Sequence, residues 1–231
     1  MAALAGLLIG GVVVHGSAAS LSFTSQTFTP IRTCTITATP AATTGMIDAT
    51  VRQGSATSNF GTVTTSTVAS GSGVNQRVYV KFDLTTCSPA IPATAIVRLA
   101  TLRLYMTAVA AVCRTIDLFK VAASWTEIGI TWNNQPFGAT INNPASGSRS
   151  GSFAVGTPVG CQNQATGVYV TGGTLTTDVA SFVAGGSTNF GWMLRDDVEG
   201  SATTRTTTFS TKELGAVAQD PQLVVSYVNV P

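Results

Sequence analysis

The sequence predicts an all-β fold: a jelly-roll-like antiparallel β-sandwich with one short helix and an N-terminal extension. Three observations point there. About one residue in six is Thr, and with Val, Gly and Ser it far outnumbers Lys and Glu, a strand-and-turn composition. Apolar and polar residues alternate with a period of two in many short runs, separated by Gly, Pro, Ser and Asn. One run alone has good helical start and stop signals. A length of 231 residues suits one large β domain with an extension. The expected division is an apolar segment at 1–20, a Thr-rich β extension at 21–45 and the sandwich at 46–231.

Met1 to Ser20 carries no Lys, Arg, Asp or Glu. Ala2 to Val14 has the character of a secretory h-region, and Gly16-Ser17-Ala18-Ala19 supplies small cleavage-site residues, although a positive n-region is lacking. The run falls short of the ~20 residues a membrane span needs. Either it is a leader, the chain's only and transient contact with a membrane, or it is retained and buries its apolar surface in another copy of the chain. Leu21-Ser22-Phe23-Thr24 and Thr33-Cys34-Thr35-Ile36-Thr37 both alternate as strands. They form an edge strand on their own domain, a strand donated to a neighbour, or a linker.

From Met46 onward short strands follow one another. Met46–Arg52 is the first, and Gln53 to Gly73 reads as a long loop. Gln76 to Leu84 is the cleanest strand: Val78, Val80, Phe82 and Leu84 share one face, and Arg77, Tyr79, Lys81 and Asp83 the other. Ile96–Thr107 places Ala100, Leu102, Leu104 and Met106 opposite Arg103 and Tyr105. Cys113–Val121 follows. In Trp125 to Trp132, Ile128, Ile130 and Trp132 alternate with Gly129 and Thr131, which predicts a strand with one buried face, and Asn133-Asn134-Gln135-Pro136 a turn. Its tryptophans plug the core or, alternatively, form a platform for a sugar ring. Asn134 to Cys161 is loop with a short strand near Ser152–Val155, and Gly167–Thr171 is a strand. Thr176 to Gly185 is the helix, with a Thr cap, an acidic first turn and a Gly stop. Phe190–Arg195, Thr204–Ser210 and Leu223–Val228 complete the set.

Several of these stretches also carry a resemblance. Trp125-Thr126-Glu127, Ile130-Thr131-Trp132-Asn133 and Pro136 resemble the W-x-E-x-x-[IV]-T-W-N-x-x-P signature of DNRLRE (disaggregatase-related) domains, which are similar to carbohydrate-binding modules that include alginate binders. Asp48 to Val51, Asn59-Phe60-Gly61, Arg77 to Leu84, Ala100 to Leu104, Asp178-Val179, Asn189-Phe190-Gly191 and Phe209 to Glu213 fall in that family's order. Phe182 stands where the family has Trp. The resemblance covers residues 46 to 228. It implies that Trp125, Glu127, Thr131, Trp132, Asn133 and Pro136 are a structural signature, and that a polysaccharide is the expected ligand class.

Cys34, Cys87, Cys113 and Cys161 form an even set without a CxxC pair, so disulfides are expected rather than a metal site. Of three pairings, the one expected is Cys113–Cys161 within the module and Cys34–Cys87 tying down the extension, with an intersubunit bridge through Cys34 as the alternative. The lone histidine, His15, lies in the leader-like segment, which excludes His-based triads and metal sites from the globular part. Among the ten carboxylates no spacing selects an acid–base pair, and Glu127 is expected to bond backbone beside Trp125. Asp196-Asp197-Val198-Glu199-Gly200 is expected to be a solvated turn rather than a Ca²⁺ site. No catalytic residue, cofactor or metal is predicted. With 10% charged residues and a formal net charge of +2, nucleic-acid binding has no electrostatic support.

Two functions remain. The main expectation is a non-catalytic extracellular structural subunit that assembles with other copies of itself into a fibre, pilus-like filament or surface layer. The alternative is a secreted module binding an acidic polysaccharide. For it, Arg77, Tyr79 and Lys81 on one strand and Arg103 and Tyr105 on a near neighbour supply cations for carboxylates and rings for stacking.

Overall fold

A computed structural model describes residues 29–37, 45–163, 167–171, 173–216 and 218–230. Eleven strands and one helix run in the order β1 (Ile31–Thr37), β2 (Met46–Arg52), β3 (Thr65–Ser70), β4 (Gln76–Phe82), β5 (Ile96–Ala108), β6 (Arg114–Lys120), β7 (Gly151–Val155), β8 (Gly167–Thr171), α1 (Gly173–Val183), β9 (Trp192–Asp196), β10 (Arg205–Ser210) and β11 (Gln222–Val228). All named pairings are antiparallel. β1, β11, β5 and β8 form one sheet, and β2, β4, β9, β6 and β7 the other. The β3–β10 pair joins them: β10 meets the far end of β5, and β3 meets Gln76 of β4. The all-β sandwich expected from the sequence is the fold found.

The main core lies between the sheets. Ala100, Leu102, Leu104 and Met106 of β5 and Leu223, Val225 and Tyr227 of β11 face Val78, Val80, Phe82, Trp192, Leu194, Ile116 and Leu118, and α1 contributes Leu175, Val179 and Phe182. These are the period-two positions, which is why the strands were legible. A second apolar cluster covers the outer face of the β2–β4–β9–β6 sheet. Ala49, Val51, Tyr79, Phe119, Val121 and Met193 are buried there beneath Trp125, Ile130 and Trp132. That sheet is therefore covered on both sides.

The structure corrects three expectations of local structure. Residues 125–132 form turns and extended chain, not a strand, and Ile128 is 75% exposed. Of the alternating residues only Ile130 and Trp132 pack on the sheet below, together with Trp125 at the start of the strap. The tryptophans are core plugs and not a platform. The Trp125 indole N–H donates to the Phe190 carbonyl at 2.8 Å, and the Trp132 ring lies under the Arg77 guanidinium. The loop expected at 53–73 contains β3, hidden because Thr65 to Ser70 offers few large apolar residues. The helix starts at Gly173, so Thr176 sits inside it rather than capping it, and its Oγ1 accepts from the Ala100 N–H of β5; Asp178 accordingly lies beyond the first turn, which holds no acid. The Gly stop holds: Gly185 is left-handed at φ +72°, and Gly186 N–H bonds the Ser181 carbonyl.

β1 pairs along its whole length with β11 of its own chain, from Ile31↔Val228 to Thr37↔Gln222, and buries Cys34 and Ile36. This is the folded-back edge strand rather than a donated one. Leu21 to Thr24, the apolar 1–20 segment and His15 lie outside the described residues. Both disulfides expected from the sequence are formed, Cys34–Cys87 and Cys113–Cys161, and the Cys34 bridge is intramolecular.

Candidate functional site

The residues singled out for ligand binding are not brought together. β4 belongs to one sheet and β5 to the other, so Arg77, Tyr79 and Lys81 lie on the opposite outer surface from Arg103 and Tyr105. Arg77 and Tyr79 are fully buried under the strap. Arg77 forms a bidentate pair with Glu199 at 2.7 and 2.8 Å, both side chains sealed from solvent. It also donates to Gln135 Oε1 and to the Gly138 and Thr140 carbonyls. The Tyr79 hydroxyl donates to the same Gln135 oxygen at 2.9 Å, and burial pushes its pKa well up. Arg103 is half-buried and donates to Gln222 and to the Ala218 carbonyl; Tyr105 is half-buried beside it on β5. The expected basic and aromatic face is thus mostly framework. Sequence reasoning missed Gln135 and Glu199, the partners that make Arg77 internal.

The signature residues are also framework. Glu127 accepts from the Asp48 backbone N–H at 3.1 Å and pairs with Lys212 at 3.0 Å. The bonded backbone is thus that of β2, not a neighbour of Trp125. Asp48 in turn accepts from the Lys212 N–H, and Lys212 also pairs with Glu213. Asn133 N–H donates to the Ala56 carbonyl, Thr131 N–H donates to Asn134 Oδ1, and Pro136 follows in the next turn. Asn59-Phe60-Gly61 and Asn189-Phe190-Gly191 perform the same task twice. Each Asn accepts from the Gly N–H two residues on, at 3.0 Å, and its amide clamps a distant carbonyl: Glu127 and Ile130 for Asn59, Phe82 for Asn189. In the turn at Asp196 to Gly200, Val198 and Gly200 are exposed, but Asp196 and Glu199 are buried. Arg114 pairs with Asp196 and Asp197, and Glu199 is taken by Arg77. Arginines occupy the oxygens a Ca²⁺ ion would need, and no cluster of metal ligands occurs among the described residues.

One predicted residue remains available. Lys81 is half-exposed and lines an open depression of about 480 Å³ at the end of the sandwich. β2 starts there, β4 ends there, and the last turn of α1 closes one side. Gly45, Met46, Ile47, Phe82, Leu84 and Phe182 supply its apolar part; Lys81, Asp83, Thr85 and Asn189 are its polar groups. Asp83 Oδ1 accepts from the N–H and the hydroxyl of Thr85, at 2.9 and 2.7 Å, which fixes the short turn Leu84–Thr86. A second, smaller hollow of about 250 Å³ sits on the strap between Ser124, Trp125, Thr126, Gly129, Ile130 and Asn134.

Charge is sorted across the whole surface. Of the ten acidic residues only Asp83 is exposed; the other nine are buried or half-buried. Arg32, Arg98, Lys120 and Arg149 are exposed cations. Arg77, Arg114 and Lys212 pair with acids inside, while the exposed Lys120 and Arg149 reach inward to Asp178 and Asp117. The outer surface therefore carries more cations than acids, with Arg32 and Arg98 in no ion pair among the described residues.

The model of carbohydrate-binding module family 96 matches residues 39–154, half of the chain, and the protein belongs to that family. A comparison with curated proteins finds no match.

Proposed function

We propose that the protein is a secreted, non-catalytic module that binds an acidic polysaccharide. The observation that carries this reading is the sorting of charge: four exposed cations against one exposed carboxylate on a member of a carbohydrate-binding family. A polyanion gains from such a surface through many weak attractions, whereas a neutral glycan gains nothing from it. The motif resemblance to DNRLRE domains points to the same ligand class. Two disulfides suit an oxidising, extracytoplasmic compartment. Self-assembly, the main expectation from the sequence, relies on residues outside the described ones and on a donated strand. The strand in question pairs within its own chain, and the family match favours sugar binding.

The test is calorimetric titration of the protein with a polyuronate, with the same polymer after its carboxyls are reduced to alcohols, and with a neutral β-glucan. Binding is expected for the first and lost for the other two. Equal affinity for all three overturns the acidic preference, and absence of binding to any overturns the function.

A further inference from the structure

The depression beside Lys81 has the properties of a single oriented sugar subsite. The Lys81 ammonium makes no hydrogen bond or ion pair with any described residue, although it sits within a strand register, Ile47↔Lys81, that fixes where it emerges. Asp83, two residues on and on the same face, commits only its Oδ1 to Thr85; its Oδ2 takes no hydrogen bond from a described residue. The one exposed acid thus lines the same depression as an ammonium that no described residue pairs. Two opposite charges left unpaired at one opening are each available to a ligand.

The surroundings are held rigidly. Asp83 N–H bonds the Gly45 carbonyl at 2.7 Å, the Thr86 hydroxyl bonds the Asp83 carbonyl, and Cys87 anchors the turn to β1 through Cys34. Asn189 clamps the Phe82 carbonyl, so the wall opposite Lys81 is fixed as well. Leu84 and the edge of Phe182 offer an apolar surface to the C–H side of a pyranose. The volume falls within the range of about 300–1,000 Å³ common for small-ligand sites, and the opening to solvent lets a polymer continue out of it.

We propose that this depression binds one uronate unit of the polysaccharide in a single orientation. Its carboxylate pairs with Lys81, its hydroxyl edge donates to Asp83 Oδ2, and its C–H face rests on Leu84 and Phe182. Asp83 repels a carboxylate brought to its own side, so the pair reads direction as well as charge. This inference rests on the acidic-polysaccharide reading above.

The experiment titrates the full-length protein, its Lys81→Gln and Asp83→Asn variants, and Thr203→Ala as an exposed control outside the depression, with a size-defined polyuronate oligomer. Lys81→Gln is expected to weaken binding about tenfold or more, the loss of one charge-assisted contact. Asp83→Asn weakens it less and lets the ligand bind in both orientations, seen as two sets of cross-peaks in place of one when the protein is isotope-labelled. Thr203→Ala, an uncharged exchange outside the depression, leaves affinity within about twofold. Chemical-shift changes in the wild type, which need no variant to fold, are expected to centre on residues 81–85 and 189. Wild-type affinity in Lys81→Gln, or shift changes centred elsewhere, overturns the assignment of this site while leaving polysaccharide binding intact. A wild type that binds no polyuronate at all removes the broader function and this subsite with it.

Discussion

Two glycines decide whether the Asn clamps can close. A Cβ on Gly61 would collide with the Glu127 carbonyl, and one on Gly191 with the Val80 carbonyl; Gly191 is also left-handed at φ +75°. The obstacle in each case is backbone, which a side-chain rotation cannot relieve. Gly61→Ala is expected to lose about 1–3 kcal/mol to overpacking, and Gly191→Ala more, because its dihedral adds about 1–2 kcal/mol. Gly73, at φ +70° with open space around it, is the control that shows the dihedral cost alone. Denaturant midpoints of the three variants check the order. Arg77 and Glu199 are decided by a different effect. Glu199→Gln leaves a guanidinium sealed beneath the strap without its counter-charge, a loss of about 3–5 kcal/mol by the same measurement.

Titration at Asp48 belongs to this scale too. Burial first, then the neighbouring Glu213, holds its carboxyl well above the ordinary range, and burial with Glu213 does the same to Asp220. An unfolded chain releases these protons near pH 4, the native one only at higher pH. Native protein therefore binds more protons than unfolded protein in that window, and the contribution of these groups to stability falls as pH rises through it. Asp48→Asn keeps an acceptor for the Lys212 N–H but cannot ionise. Its stability relative to wild type is expected to be unchanged at pH 3 and to improve from pH 4 upward. Thermal midpoints across that range test the sign; a relative loss of stability on raising the pH would contradict it.

At the scale of elements, β4 shows why the fold was legible and the ligand face was not. Its alternation is real, and Val78, Val80 and Phe82 enter the core as the period requires. Period alone says which residues share a face, not whether that face meets water. Here the outer face is covered by a strap whose own strand-like alternation was misleading, and Arg77 finds its carboxylate 122 positions away. No local pattern announces a partner at such a distance. The edge strand β1 shows the opposite case. Its alternation was legible in five residues, whereas folding back or donation was left open; one disulfide and two inward side chains dock it on β11. Removing that bridge with Cys34→Ala and Cys87→Ala is expected to cost about 2–4 kcal/mol. Hydrogen exchange should quicken first in Ile31–Thr37, whose only strand partner among the described residues is β11. Uniform loss of protection across both sheets would show that β1 is not an independent edge.

For the molecule as a whole, net charge is a poor guide to what the surface presents. The formal value of +2 spreads twelve basic and ten acidic residues evenly, but folding does not. It draws Asp48, Asp117, Asp178, Asp196, Glu199 and Asp220 into buried positions, where Arg149, Lys120, Arg114 and Arg77 meet four of them. What stays outside is mainly cationic, and it is distributed over several strands rather than gathered in one cleft. Attraction spread in this way acts through solvent, so salt should remove it. Raising ionic strength from 0.1 to 1 M shortens the screening length from ~10 to ~3 Å. The affinity for a long polyuronate should fall steeply over that range. The affinity for a short oligomer held by Lys81 alone should fall less, because a close pair beside apolar walls is screened less than a distant one. Titrations of the two lengths at matched salt separate the contributions. Parallel losses would mean that the whole interaction is diffuse, whereas a long polymer insensitive to salt would mean that the basic exterior takes no part in binding.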